Sequence, residues 1–294
     1  MRLRAFAKIN LGLDILRKRE DGYHEVRMIM QTIQMYDVLE MKKVKKPGIS
    51  LSVNYPYIPS DERNLVYKAA KLLMDEFQVK EGVDIRLEKF IPVAAGMAGG
   101  STDAAAVLVG VNRMFDLGFT KKELMERGVK LGADVPYCIM RGTALSEGIG
   151  EILTELPAPP QCHLVIAKPQ ISVSTKAVYG KLRVNELAPE EHPDIDGMMA
   201  AIKNGDLDGV IERLGNVLET VTVPDHPEIA EIKEIMVENG ACGSLMSGSG
   251  PTVFGIYKGR ELAEKACQAL READGGRLTR QVYLTEFYNR KKAR

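Results

Sequence analysis

The sequence predicts an α+β protein of two domains. Its 294 residues are enough for about two domains at roughly 150 residues each. Strand-like and helix-like segments are mixed along the chain, which is typical of the α+β class. The proline-rich stretch LPAPPQ at 156–161 is the best candidate for a boundary, so we expect domains at 1–156 and 157–294.

Hydrophobic periodicity predicts the elements before this break. Apolar and β-branched runs at 1–16 and 26–44 surround a polar turn at 18–22 and predict two strands. Two further strands are expected where apolar and polar residues alternate, at 49–55 and 83–91. Helical spacing of apolar residues predicts helices at 64–78, with Asn64 as N-cap, at 103–115 and at 121–132.

The segments after the break suggest a second, smaller sheet. A strand is expected at 163–169, amphipathic helices around 196–220 and 227–239, a strand at 252–257, a helix at 261–273 and a strand at 281–288. This order resembles a small ferredoxin-like unit.

The composition argues against several classes of function. Lys plus Arg equals Asp plus Glu at 40 each, so the usual electrostatic argument for nucleic-acid or membrane-surface binding is missing. The basic stretches at 42–46 and 290–294 are short and are interpreted as a solvated loop and a solvated tail.

The cysteines and the N-terminus bear on the compartment. The four cysteines are widely spaced without a C-x-x-C pair, so we expect buried free thiols and neither a disulfide framework nor a zinc site. The N-terminus lacks the apolar core of a signal peptide, and the chain has no apolar stretch long enough to span a bilayer. We therefore expect a cytoplasmic protein.

A glycine-rich run, PVAAGMAGGSTDAAA at 92–106, is the first candidate site. Glycines let the backbone approach a ligand closely, and the free N–H groups at a helix start attract an anion such as a polyphosphate. The run is neither a Walker A motif nor a dinucleotide fingerprint, because both spacings fail. From spacing alone, a strand-to-helix turn with Ser101 or Thr102 as an ordinary N-cap explains it equally well.

Three further features could complete a phosphoryl-transfer site. A second Gly/Ser cluster, GACGSLMSGSGPTVFG at 240–255, lies between a predicted helix and a predicted strand, although a tight turn explains it equally well. Lys8 and Asp134 are charges inside apolar runs, as needed for charge neutralisation and a positioned base. Taken singly, a lysine snorkelling from a strand edge and an aspartate capping the turn before Pro136 are the better explanations.

Taken together, these blocks resemble a known superfamily. AKINLGLDIL with the following DGYHEV, then PVAAGMAGGSTDAAA, then SGSGPTVFG are similar to the three motifs of the GHMP kinases. The first block and GADVPYC are similar to the branch of that superfamily that phosphorylates 4-diphosphocytidyl-2-C-methyl-D-erythritol with ATP. The resemblance implies an N-terminal ribosomal-protein-S5-like α/β domain, a C-terminal ferredoxin-like domain, and an active site in the cleft between them.

The resemblance also implies roles for individual residues. Lys8 and Asp134 match the catalytic pair, and the following match residues that embrace the ATP phosphates: Pro92, Val93, Ala94, Ala95, Gly96, Met97, Ala98, Gly99, Gly100, Ser101 and Thr102. The substrate contacts implied are Tyr23, His24 and Tyr179, around the cytosine, and Asn10 and Lys89, as further contacts with substrate or phosphate. The third-motif loop is Ser247, Gly248, Ser249 and Gly250.

The implied cofactors and partners are few. ATP is the co-substrate, Mg²⁺ accompanies it, the cytidine diphosphate methylerythritol is the acceptor, and a monomer or homodimer is expected. Many members have Ser-Ser where this chain has Ser101-Thr102, which keeps the hydroxyl. Some members recruit a glutamate to the metal; no clear equivalent stands here, so the metal ligands stay unassigned.

Other functions remain open at this point. Kinases of the same superfamily that act on mevalonate, homoserine or a sugar have substrates without a cytosine, so the DGYHE segment and Tyr179 argue against them. A non-catalytic nucleotide-binding protein is disfavoured by the intact Lys8 and Asp134. A dehydrogenase is disfavoured because neither glycine cluster has dinucleotide spacing.

Overall fold

The computed structural model describes residues 1–289, and their contacts divide the chain into two compact units that interleave along the sequence. The first unit contains Met1–Ala7, Met35–Val93 and Ala98–Arg141. The second contains Lys8–Gln34, Ala94–Met97 and the chain from Gly142 onward. The predicted boundary between 156 and 157 stays a prediction, and the basic stretch at 290–294 lies outside the described residues.

Two long strands run through both units. They are β1 (Arg2–Lys18) and β2 (His24–Val44), which confirms the first two predicted strands. The polar turn between them closes through bonds from Arg19 N to Tyr23 O, 2.8 Å, and from Gly22 N to Arg19 O, 3.1 Å. Gly22 has a φ of 85°, a left-handed conformation that glycine adopts without steric cost.

The first unit packs helices beside a short stretch of sheet. Strand β4 (Gly82–Glu88) pairs antiparallel with Val38–Val44 of β2 and parallel with β3 (Gly48–Val53). The helices are α1 (Leu65–Glu76), α2 (Gly99–Met114), α3 (Lys121–Gly128) and α4 (Val135–Met140). Helices α1, α3 and α4 contact α2. A small residue of α2 also lets the helix lie close to β2: a Cβ added to Gly110 would lie 2.6 Å from Met41 Sδ.

The ends of these helices correct the sequence-based boundaries. Asn64 caps α1 as predicted, because its side chain accepts from Val66 N. Helix α2 begins at Gly99, four residues before the predicted start at 103, so the two adjacent glycines, Ser101 and Thr102 belong to its first turn. Helix α3 ends at Gly128 and not at 132.

The second unit holds the remaining elements. In chain order they are β5 (Thr143–Gly148), β6 (Ile152–Leu156), β7 (His163–Pro169), α5 (Thr175–Lys181), α6 (Ile195–Asn204), α7 (Leu207–Glu212), β8 (Gly215–Asn216), α8 (Glu219–Asp225), α9 (Glu228–Glu238), β9 (Gly243–Met246), β10 (Val253–Tyr257), α10 (Arg260–Glu272) and β11 (Thr279–Glu286). Strand β5 pairs antiparallel with β2 and with β6, and β8 pairs parallel with β1. The helix expected around 196–220 is broken, since α6, α7 and β8 occupy that stretch.

A four-stranded antiparallel sheet forms the C-terminal part of this unit. Its strand order is β11-β7-β10-β9, and α9 and α10 contact its strands. This is the order of a ferredoxin-like β-α-β-β-α-β unit, as predicted. Strand β9 was expected as part of a Gly/Ser turn, because its residues Gly243 and Ser244 carry little apolar signal.

No helix within residues 1–289 is both long enough and apolar enough to cross a membrane.

The capping box of α3 gives a stability test in the first unit. Thr120 accepts from Glu123 N and the Glu123 carboxylate accepts from Thr120 N, so two amides at the helix start are satisfied. Thr120→Ala should lower the free energy of unfolding by about 1 kcal/mol, measured by denaturant titration. Thr120→Ser keeps the hydroxyl and is the control. An alanine variant as stable as the serine variant would show that the box contributes nothing.

Candidate functional site

The glycine loop, Pro92–Thr102, leads into α2 through three left-handed residues. Ala94, Gly96 and Ala98 have φ values of 51°, 70° and 55°. Ala98 occupies the N-cap position and makes no side-chain cap hydrogen bond. Ser101 and Thr102 lie inside α2, so neither is the ordinary N-cap that would have explained the loop structurally. The start of α2 therefore has the features of an anion site, because a bound anion can satisfy amides that no side chain caps.

The tip of the glycine loop, Ala94–Met97, lies in the second unit against the third-motif loop, Ser247–Gly250. A Cβ added to Gly96 would lie 2.0 Å from the Ser247 carbonyl oxygen, so only glycine fits there. The Ser247 hydroxyl donates to the Gly96 carbonyl at 3.0 Å. The structure thus brings these two sequence-predicted loops together by direct backbone contact.

A buried asparagine that the sequence analysis did not single out holds the third-motif loop. Asn216, on β8, donates from Nδ2 to the carbonyls of Met246 and Gly248, each at 2.8 Å. Its Oδ1 accepts from Leu218 N at 3.0 Å. Both amide protons and the amide oxygen are therefore used. The available signal was a lone amide in the apolar run RLGNVLETVT, which by itself does not point to a distant loop.

Lys8 lies on β1 in the same unit and is buried, with 5% of its surface exposed. Its Nζ donates to Asn10 Oδ1 at 2.8 Å, and its backbone N donates to Met97 O at 3.2 Å. The fully buried Asn10 in turn donates to Met28 Sδ at 3.4 Å. A lysine snorkelling from a strand edge would be exposed, so the structure rules out that interpretation of Lys8.

Asp134 belongs to the first unit and stands at the N-cap position of α4. Its side chain makes no cap hydrogen bond to that helix, so capping does not explain the residue. Lys8 and Asp134 belong to different units, and their joint action remains a proposal.

The predicted cytosine contacts fall in the second unit. The rings of His24 and Tyr179 meet edge to face, with centroids 5.3 Å apart. Tyr23 is 59% exposed. Burial, helped by the positive charge of Lys18, lowers the pKa of His24 below its ordinary value. The imidazole is therefore neutral at pH 7 and offers one donor and one acceptor.

One further contact ties the Tyr179 helix to the third-motif loop. Thr175, the first residue of α5, shares a hydrogen bond of 2.8 Å between its hydroxyl and that of Ser249. The sequence analysis missed Thr175, because a threonine at a helix start is ordinary in sequence.

Lys89 lies in the first unit, and its ammonium is buried between the carboxylates of Asp37 and Asp103. Its predicted contact with substrate or phosphate stays untested. Within residues 1–289 no group of three or more His, Cys, Asp or Glu side chains could hold a metal ion.

Comparisons of the sequence with known proteins identify the family. Residues 64–142 match the model of the GHMP kinases N terminal domain, and residues 198–275 match that of the GHMP kinases C terminal domain. The chain is 53% identical to a 4-diphosphocytidyl-2-C-methyl-D-erythritol kinase of Lachnospira eligens over 98% of both chains. It is 52% identical to the protein of that name in Lachnoclostridium phytofermentans, again over 98% of both.

Solved structures extend this similarity. A crystal structure of 4-(cytidine 5'-diphospho)-2C-methyl-D-erythritol kinase superposes with a TM-score of 0.83 at 32% identity, covering 99% of this chain and 100% of the other. A homoserine kinase from Cytophaga hutchinsonii gives a TM-score of 0.76 at 18% identity, covering 97% and 94%, and shows the shared fold alone.

The Asn216 clamp predicts a local and a global effect. Asn216→Asp removes both donors and places a carboxylate against two carbonyl oxygens, so the free energy of unfolding should fall by about 2 kcal/mol. Hydrogen exchange of the amides at 247–250 should accelerate. Asn204→Asp makes the same change at an exposed position and is the control. Unchanged exchange at 247–250 in the Asn216 variant would contradict the clamp.

Proposed function

Since the chain belongs to the GHMP kinases and, within them, to the 4-diphosphocytidyl-2-C-methyl-D-erythritol kinases, we propose that it phosphorylates the 2-hydroxyl of that substrate with ATP. The products are the 2-phosphate and ADP, and the reaction is a step of the non-mevalonate pathway to isoprenoid precursors. The observation that carries this function is similarity over nearly the whole chain to kinases of that name. The enzyme is a small-molecule kinase with ATP as co-substrate.

Lys8 and Asp134 are the proposed catalytic pair. Asp134 accepts or orients the proton of the substrate's tertiary hydroxyl, and Lys8 stabilises the negative charge that develops on the transferred group. The bond from Lys8 Nζ to Asn10 supports this role, because it fixes the ammonium on its strand. Asn10 is proposed to orient the lysine through this bond and to contact the substrate.

The glycine loop is the proposed ATP phosphate site. Phosphoryl transfer depends mainly on positioning and electrostatic stabilisation, and backbone amides at a helix start supply both. The left-handed backbone at Ala94, Gly96 and Ala98 and the cap position without a side-chain bond support this assignment. The third-motif loop holds the tip of the glycine loop through Ser247.

Mg²⁺ is proposed to accompany ATP. Mg²⁺ in kinase sites is usually held by phosphate oxygens, waters and one or two carboxylates, so it does not need a preformed cluster of protein ligands. When bound, it neutralises charge on the phosphates.

The cytosine is proposed to bind near Tyr23, His24 and Tyr179. Aromatic faces suit a planar base, and the neutral His24 imidazole can donate to or accept from its edge. The contact between the His24 and Tyr179 rings supports a shared role for these two residues.

A panel of acceptors tests the function. In a coupled ADP-release assay, the cytidyl-diphospho-methylerythritol should be turned over, while mevalonate, homoserine and galactose should give no ADP above the rate without acceptor. Turnover of another alcohol with the cytidyl compound inert would overturn the substrate assignment and leave the superfamily intact. If none of the four acceptors leads to ADP release, the kinase assignment is overturned.

Asp134→Asn tests the catalytic pair. The carboxylate is proposed to act in the transition state, so kcat should fall by about 10²-fold to 10⁴-fold while ATP affinity changes little. Asp116→Asn, the same change on an exposed loop, is the control and should leave kcat unaltered. Near-normal turnover in the Asp134 variant would remove that residue from the mechanism.

A further inference from the structure

Three titratable side chains are buried together beside the start of α2. Lys89 has 5% of its side chain exposed, Asp37 none and Asp103 3%. The Lys89 ammonium bonds to one carboxylate oxygen of Asp37 and lies 2.7 Å from Asp103 Oδ2. All three belong to the first unit, and the proposed catalytic chemistry uses none of them.

The backbone of Lys89 is held as firmly as its ammonium. The β2–β4 ladder ends with the pair Val38 and Glu88. Beyond it, Asp37 Oδ1 accepts from the backbone N of Phe90 and of Ile91, the latter at 2.8 Å. The Asn54 side chain bonds to both the N and the O of Lys89, at 2.9 and 3.2 Å. Side chains thus replace the lost ladder bonds where the chain leaves the sheet toward the glycine loop.

The ammonium also lies directly against the first residue of α2. A Cβ added to Gly99 would stand 3.1 Å from Lys89 Nζ, a distance tighter than most real Cβ contacts. Asp103 is on the same helix, one turn farther along. The Lys89 ammonium therefore occupies the space beside Gly99 and pairs with Asp103.

The cluster places one ammonium between two buried carboxyl groups. Burial and the neighbouring Asp37 raise the pKa of Asp103, although Lys89 acts in the opposite direction. Asp103 Oδ1 has no hydrogen-bond partner among the described residues. Because a buried ion pair is often no more stabilising than apolar residues of similar size, stability alone is a weak explanation for this arrangement.

We propose that Lys89 is a positioning residue that fixes the start of α2 and the glycine loop against the end of β4, and that it does not contact the cytidyl substrate. The inference rests on the proposed function, in which this loop holds the ATP phosphates. Asp37 and Asp103 anchor the ammonium from the strand and from the helix. Loss of the ammonium loosens the amides that face the phosphates.

A single variant and a double variant separate an effect on ATP binding from an effect on stability. Lys89→Met alone leaves two carboxylates without their cation and should lower Tm. Lys89→Met with Asp103→Asn removes the ammonium together with one of its two carboxyl partners, while Asp37 keeps its bonds from Phe90 N and Ile91 N, and should recover most of that Tm loss. In the double variant KM for ATP should rise about tenfold or more, with KM for the cytidyl substrate within about twofold. Lys71→Met with Asp75→Asn makes the same changes in an exposed ion pair and should leave both KM values unaltered.

A second variant tests the proposal even if the Lys89 variants fold poorly. Gly99→Ala keeps every charge and pushes a methyl group toward the ammonium, so KM for ATP should rise. In a double-mutant cycle, this effect should be smaller in the Lys89→Met, Asp103→Asn background, because the ammonium is absent there and only the approach to Ile91 Cγ2, at 3.3 Å, is left. Full additivity would overturn the proposal.

Direct binding of a non-hydrolysable ATP analogue, followed by calorimetry, distinguishes the remaining outcomes. Weaker analogue binding in the double variant supports positioning even where the acceptor assay has assigned a different alcohol. Native analogue affinity together with a raised KM for the cytidyl substrate would show that Lys89 contacts substrate and would overturn the proposal. If the double variant recovers both its Tm and its affinity for the analogue, the cluster has only a structural role, and the proposal is overturned.

Discussion

The approach of the Gly96 backbone to Ser247 is the constraint on which the second unit's part of the site depends. No side chain fits at Gly96, since its Cβ would stand 2.0 Å from a carbonyl oxygen. The contact holds the tip of the glycine loop, and Met97 then accepts from the backbone of Lys8. The contact between Gly96 and Ser247 and the bond from Lys8 to Met97 together link the third-motif loop, the glycine loop and the strand of the proposed catalytic lysine.

Buried polar side chains maintain these positions. Asn216 uses every hydrogen-bonding group of its amide to hold the third-motif loop, and Asp37 accepts from two consecutive amides after β4 ends. An unpaired buried polar group costs about 1–3 kcal/mol, so each of these residues tolerates few arrangements of its neighbours. Loops without regular secondary structure thereby acquire a defined geometry, which the proposed phosphoryl transfer requires.

The same logic separates residues that touch ligands from residues that orient them. Exposed Tyr23 and the neutral His24 imidazole present surfaces that a base can use. Lys89 is enclosed by the carboxyl groups of Asp37 and Asp103 and by the start of α2, which is the basis for the proposal that it orients the loop and does not touch the substrate. A motif resemblance by itself does not distinguish residues that contact a ligand from residues that orient them.

The sequence by itself determined the elements with strong local signals: the paired strands around the 18–22 turn, the Asn64 cap and the ferredoxin-like order of the C-terminal strands. Its motifs also identified the superfamily. Only the tertiary structure decided that α2 starts at Gly99, that Asn216 holds a loop 30 residues away and that Lys89 is enclosed by two carboxylates. Periodicity and capping act over a few residues, whereas these three features depend on packing and hydrogen bonds between segments distant in the chain.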